Sequence, residues 1–237
     1  MLNKLSLDFE YTTSDNNIVK EFYTPCLSKS IIYKRGVGYF TSGWLSENSK
    51  GLSMFIENGG KAKYITSPIL DKNDLFALQG NFDKSKIDNI IISNINNLEK
   101  SLEEETRNLL GWLVYDGIIE FKFAIPQNDL DGGDFHTKFG IFVDSDNNMV
   151  SFIGSMNESM KGFINYEEIN SFNSWSDSTS LNHCKSKLKR FDRLWANEDP
   201  NIYVYEIDEL VKNKLIQLKS YSQRPYPKNK NYSFKKI

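Results

Sequence analysis

The chain has 237 residues, 31 acidic and 29 basic side chains, two histidines and two cysteines, enough for one generous domain or two small ones with a buried core. With 39% hydrophobic and 14% aromatic residues it is not a disordered protein, and no apolar run approaches the ~20 residues that cross a bilayer, nor does a signal-peptide core follow Met1. Cys26 and Cys184 make neither a disulfide scaffold nor, alone, a four-ligand zinc site, so the expectation is a reduced cytoplasmic protein that neither spans a membrane nor carries a cofactor.

The net charge of −2 hides an asymmetry. Residues 211–237 hold eight Lys/Arg and no Asp/Glu, which leaves residues 1–210 at −10. A basic end attracts phosphates.

In chain order, Ile31-Ile32-Tyr33 and Val37-Gly38-Tyr39-Phe40 read as short strands. Trp44, Leu45, Leu52, Phe55 and Ile56 then recur at helical spacing, and Asn58-Gly59-Gly60 supplies a stop. Residues 62–65 read as a strand that ends at Ser67-Pro68, giving a strand–helix–strand start typical of an α/β layer. Residues 71–113 are polar and largely helical, with Leu98, Leu102, Leu109 and Leu110 as candidate buried positions. Ile119-Glu120-Phe121-Lys122-Phe123 alternates as a strand should. After the loop Asp129-Leu130-Asp131-Gly132-Gly133-Asp134, residues 135–143 and 149–153 predict a β-hairpin around the turn at residues 144–148. Leu188, Phe191, Leu194 and Trp195 share one helix face, and residues 210–218 predict a last helix. The sum is a mixed sheet with helices around it.

The chemistry concentrates in His136-Thr137-Lys138, Gly154-Ser155-Met156-Asn157 and Asn165-Tyr166-Glu167. On a strand, His136 and Lys138 project from one face. Pairing of the two hairpin strands brings Gly154 to Asn157 to the same sheet edge. Lysine supplies charge, Ser and Asn supply hydrogen bonds, the imidazole attacks or transfers protons, and Gly154 lets the backbone come close to an anion. There is no Gly-x-Gly-x-x-Gly, no P-loop and no Gly-x-Ser-x-Gly.

These pieces resemble the phospholipase D superfamily, whose signature is His-x-Lys-x4-Asp followed by Gly-Ser-x-Asn. His136 through Phe142 and Gly154 through Ser159 look like the phospholipase D-like domains attached to bacterial helicases and restriction systems. Arg35-Gly36-Val37-Gly38-Tyr39-Phe40, Asn58-Gly59-Gly60-Lys61 and Arg190-Phe191-Asp192-Arg193-Leu194-Trp195 are similar to that subgroup too, so the likeness spans roughly residues 20–200. It implies a single phospholipase D-like half-unit, an α/β mixed sheet flanked by helices, over residues 1–205, with a C-terminal helix and basic tail at 206–237.

By resemblance, His136 is the nucleophile of a metal-independent reaction through a phosphohistidine. Lys138, Ser155 and Asn157 bind the phosphate, and Glu167, or its neighbour Glu168, accepts a hydrogen bond from the other nitrogen of His136. The family Asp falls at Val143; Asp144, one residue late, is a structural candidate. The second histidine, His183, stands outside any His-x-Lys or Gly-Ser-x-Asn context and reads as a bystander. Single-motif members of the family pair two chains across a twofold axis, which implies a homodimer with one composite site. The expected function is a nuclease, DNA most of all, in bacterial defence beside a helicase. A non-cleaving nucleic-acid or helicase-binding module and a phospholipid phosphodiesterase are the alternatives.

Overall fold

The structure is a computed structural model that describes residues 1–38, 40, 43–68, 84–101, 103–130, 133–157 and 164–226. Tyr39, Leu102, Asp131, Gly132, Glu158, Ser159 and the tail lysines Lys228, Lys230, Lys235 and Lys236 lie outside the described residues, as does the side chain of Leu98.

Eight strands form one sheet: β1 (Glu10–Thr12), β2 (Ile32–Val37), β3 (Lys61–Thr66), β4 (Ile119–Pro126), β5 (Lys138–Val143), β6 (Met149–Gly154), β7 (Glu168–Asn173) and β8 (Ile202–Glu206). Their order is β1-β7-β6-β5-β2-β3-β4-β8. The β2–β3 and β3–β4 pairs are parallel and the other pairs antiparallel. The mixed α/β sheet flanked by helices is the architecture expected from the sequence.

The two short strands expected near residues 31–40 are one strand, β2, which runs straight through the polar Lys34-Arg35. The polarity misleads because Arg35 is buried, 1% exposed, with its guanidinium carbon 4.9 Å from the centre of the Phe152 ring. After α1 (Thr24–Lys29), the helix expected over residues 44–56 is broken into two, α2 (Gly43–Glu47) and α3 (Ser49–Glu57). The break is at Asn48, a buried residue whose Nδ2 donates to the Trp44 carbonyl. The polar stretch holds α4 (Lys84–Ser101) and α5 (Glu104–Tyr115); α6 (Ser178–Trp195) and α7 (Glu209–Ile216) follow.

Strand alternation divides the side chains between two cores. Tyr33 stacks on Phe142 at 4.4 Å, and with Phe152, Phe22 and Tyr23 they form an aromatic cluster under α1 to α5 and α7. A fully buried ring of this kind stabilises the fold by about 1.5–3 kcal/mol. On the other face Phe139, Ile141, Val143 and Met149 meet Cys184, Phe191 and Leu194 of α6.

The chain beyond residue 205 stays on the first core. Glu206 closes β8, and Val211, Leu215, Leu218 and Tyr226 are buried there. Two of the basic residues in this segment are held internally: Arg224 bonds Asp116 through Nε and Nη2, and the Lys219 ammonium lies 3.6 Å from the centre of the Tyr115 ring.

Candidate active site

The strand directions gather Val37, Lys138, Gly154 and Glu168 at one edge of the sheet, where β2 and β6 end and β5 and β7 begin. Lys138 opens β5 opposite Val37 and is 7% exposed. Its ammonium donates to the His136 carbonyl at 3.1 Å. Burial, and then the charge of Arg35, push the Lys138 pKa below its ordinary value, against the opposing pull of Glu167.

His136 lies in the segment before β5, exposed. This corrects the expected strand start at residue 135: the ladder begins at Lys138 because β2 ends at its partner Val37. A Cβ placed on Gly38 would come within 3.0 Å of the Phe135 carbonyl oxygen and 3.4 Å of the His136 Cα. The backbone at Gly38 therefore passes directly beneath the histidine.

Ser155 follows β6 and is tied to the start of β7 at three points. Its N–H donates to the Glu168 carbonyl at 3.0 Å, its hydroxyl oxygen accepts from the Glu168 N–H at 3.1 Å, and the hydroxyl donates to Glu167 Oε2. Gly154 makes the seam possible, since a Cβ there would sit 2.0 Å from the Glu168 carbonyl oxygen. Asn157, half-exposed, stands one residue beyond Met156, whose carbonyl accepts from Arg35 Nη2 at 2.7 Å. A buried arginine thus anchors the loop that carries Ser155 and Asn157.

Of the two neighbouring carboxylates, Glu167 is buried and turns to Ser155, while Glu168 is exposed and accepts from Asn170 Nδ2 at 2.8 Å. Among the described residues no hydrogen bond joins Glu167 to the His136 ring. The carboxylate expected to orient that ring is instead engaged by Ser155, and by Asn165 Nδ2 at 3.5 Å. The backbone of Glu167 is held by Thr13, which receives its N–H at 2.9 Å and donates its own N–H to the Glu167 carbonyl at 3.0 Å.

Asp144 sits at the opposite end of β5. Its carboxylate accepts from the N–H of Leu2 at 2.7 Å, of Asp146 at 3.0 Å and of Asn148 at 2.9 Å. Burial raises its pKa, but the hydrogen bonds from Asn148, Leu2 and Asp146 together outweigh it and hold the carboxyl below the ordinary range. His183 is on the far face of the sheet. Its Nδ1 lies 3.0 Å from Ser151 Oγ, and its ring stacks on Phe172 with centres 3.6 Å apart. Ser151 pairs with Ile141, and Lys138 points to the side opposite Ile141's neighbour Phe139, so the sheet separates His183 from Lys138.

Arg35 and Thr13 were not marked as site residues by sequence. Arg35 carried a signal in the Arg35-Gly36-Val37-Gly38 piece; Thr13 carried none. Together the edge presents an accessible imidazole, a lysine that is largely buried and an anchored loop with a hydroxyl and an amide. That set can hold a phosphate and attack it.

No family model matches the sequence, and no curated protein matches it. Among solved structures, NucT from Helicobacter pylori is 14% identical with a TM-score of 0.46, over 84% of this chain and 98% of that one. Nuc from Salmonella typhimurium, described as a phospholipase D family member, is 13% identical with a TM-score of 0.41, over 79% and 91%. The chain is similar to a phospholipase D family protein. Phosphatidylserine synthase from Haemophilus influenzae Rd KW20 is 11% identical with a TM-score of 0.49 over 88% of this chain, which spans 44% of that protein.

Proposed function

We propose that the protein is a phosphodiesterase of the phospholipase D type that cleaves nucleic acid, DNA first. The observation that carries this reading is the meeting of exposed His136, Lys138 and the Gly154–Asn157 loop at one sheet edge. In this reading the His136 imidazole attacks the phosphorus and the ester oxygen leaves as its bond breaks. Water then attacks the phosphohistidine and returns the imidazole. Lys138 and Asn157 hold the non-bridging oxygens. The Ser155 hydroxyl hydrogen is directed at Glu167, so Ser155 joins the phosphate only by exchanging that bond.

A groove of about 670 Å³ opens beside Thr13, lined by Asn16, Asn17, Ile18, Val19, Lys20 and Lys50 among others. Its amides and ammonium groups are of a kind that can meet the phosphates and sugars of a nucleic acid. Among the described residues no helix is long and apolar enough to cross a membrane.

Protonation of the leaving oxygen calls for a second acid, and His183 lies across the sheet. A second copy supplies the missing histidine in this reading. The site edge has an apolar lip for such a partner in Ile164 and Tyr166, 79% and 72% exposed on the segment leading to Glu167. The likeness of the Arg35 and Arg190 segments to domains attached to helicases and restriction systems supports a role in bacterial defence.

The test is hydrolysis of duplex DNA, single-stranded DNA, RNA and phosphatidylcholine vesicles in EDTA, with His136→Ala as control. Cleavage of nucleic acid that the substitution abolishes is expected. Activity only with added divalent metal, or unchanged in the variant, overturns the mechanism. Cleavage of the vesicles alone selects the lipid reading, and a monomer at assay concentration overturns the composite site.

A further inference from the structure

The most basic stretch of the described chain lies on α6, within the 210 residues that carry a net charge of −10. Five cations, Lys185, Lys187, Lys189, Arg190 and Arg193, stand there against one acid, Asp192. That acid is engaged by Lys34 of β2, and Arg193 pairs with Asp199 at 3.1 Å. Lys187 lies over the Phe139 ring at 5.6 Å. The remainder, Lys185, Lys189 and Arg190, are exposed and form no ion pair among the described residues.

Helix stability does not account for them. The helix dipole favours cations only in the last turn, which Arg193 occupies. Lys185 and Lys189, four residues apart, and Lys189 and Arg193, again four apart, are like-charge neighbours that repel along one ridge. Arg190 also sits close enough to Lys187 to add to the burial that lowers the lysine's pKa. The fold tolerates this repulsion without using it, which is the mark of a surface matched to an anion. Successive charges on the ridge are about 6 Å apart along the axis, at 1.5 Å per residue. The inward positions Cys184, Phe191 and Leu194 are buried, so the arc offers charge without an apolar rim.

The helix packs on the sheet face opposite the Lys138 side chain, and Lys187 over Phe139, the residue after Lys138 on β5, brings it to the end of that strand where the candidate site lies. We infer that the outer face of α6, through Lys185, Lys189 and Arg190, binds the phosphate backbone of a nucleic acid whose scissile bond lies at the Lys138 edge. The inference rests on the nucleic-acid reading above and adds where the strand is held. The contacts are made to backbone phosphates, so this surface binds without sequence preference.

The experiment uses the full chain with Lys185, Lys189 and Arg190 all changed to Gln, checked for parental circular dichroism and thermal midpoint. Binding of a 30-base-pair duplex is measured against salt concentration, and hydrolysis of bis(p-nitrophenyl) phosphate is measured in parallel. Losing three phosphate contacts makes the slope of log affinity against log salt shallower by about 2.7, at about 0.9 per contact. Duplex affinity falls at least tenfold while the small diester is hydrolysed within twofold of the parental rate. An unchanged salt slope and affinity overturn the inference, and so does stronger binding of the parent to anionic lipid vesicles than to the duplex. A parent that binds duplex through this face yet hydrolyses neither diester upholds the surface and overturns the catalytic reading instead.

Discussion

Replacing Gly154 by alanine sets a methyl group against the seam that ties the candidate phosphate loop to β7. The new Cβ falls 2.0 Å from the Glu168 carbonyl oxygen and 2.8 Å from the Ile169 Cα, both backbone atoms, where ordinary contact begins at 3.4 Å. No side chain can swing aside to relieve this, so the two strands part by roughly 1 Å, an overpacking that costs about 1–3 kcal/mol. For a domain of this size about 2 kcal/mol lowers the melting temperature by roughly 4–8 °C. The same oxygen accepts the Ser155 N–H, and Ser155 in turn donates to Glu167. A shift of ~1 Å here therefore reaches the reacting groups, where misplacement of that order costs about a hundredfold in rate. Thermal unfolding followed by circular dichroism and initial rates on bis(p-nitrophenyl) phosphate measure the two effects separately. A variant with parental melting temperature and rate refutes the close approach. One that is destabilised but turns over at the parental rate, at a temperature where it is folded, refutes the idea that the β6–β7 seam positions the site.

Three further outcomes follow from the same geometry. The Lys138 pKa lies below 10.5 in the folded chain, so the folded protein loses this proton before the unfolded one does. Stability then rises with pH between the two values while anion affinity falls, and a KM for the diester that climbs below pH 10.5 records it; Lys138→Arg moves that limb upward. Asp144→Ala removes the acceptor of three backbone N–H groups, and urea unfolding should show a loss of about 2–4 kcal/mol. Because the native carboxyl is held below its usual pKa, the wild-type contribution is present above the unfolded value near 3.8 and fades as pH falls through the folded one. Hydrolysis at a permissive temperature persists in this variant, since Asp144 is at the far end of β5. His183→Ala loses the Ser151 bond and the stacking on Phe172, about 1 kcal/mol of stability, with hydrolysis intact. A dead His183→Ala enzyme would place that histidine in the chemistry.

The hairpin of β5 and β6 was legible because its alternation is clean and its turn, Asp144 to Asn148, is rich in turn-forming residues. The two outer strands of the sheet are harder to read. β1 has three residues, too few for any periodicity, and its pairing with β7 spans most of the chain. β8, Ile-Tyr-Val-Tyr-Glu, carries a strand signal in its β-branched and aromatic residues, but over only five residues. Among the candidate site residues, Lys138, Ser155 and Glu167 were legible from motif spacing and meet at one edge. What spacing does not encode is partner choice. Glu167 turns to Ser155, not to His136, because the seam at Gly154 brings Ser155 to it. Arg35 is visible in its family-like piece, but its role is not, because a charged residue within an apolar strand reads as a break unless its buried partner, the Met156 carbonyl, is known.

Thr13 has a consequence for the order in which the protein becomes competent. It clasps Glu167 from 154 residues away, and contacts of such sequence separation form late because the loop between them must first be closed. During synthesis, β2, β3 and β4 can pair before the residues of β7 have emerged, but the carboxylate edge has nothing to rest on until they do. In the proposed reading the site therefore stays incomplete through most of elongation and closes in one late step, when β1 pairs with β7.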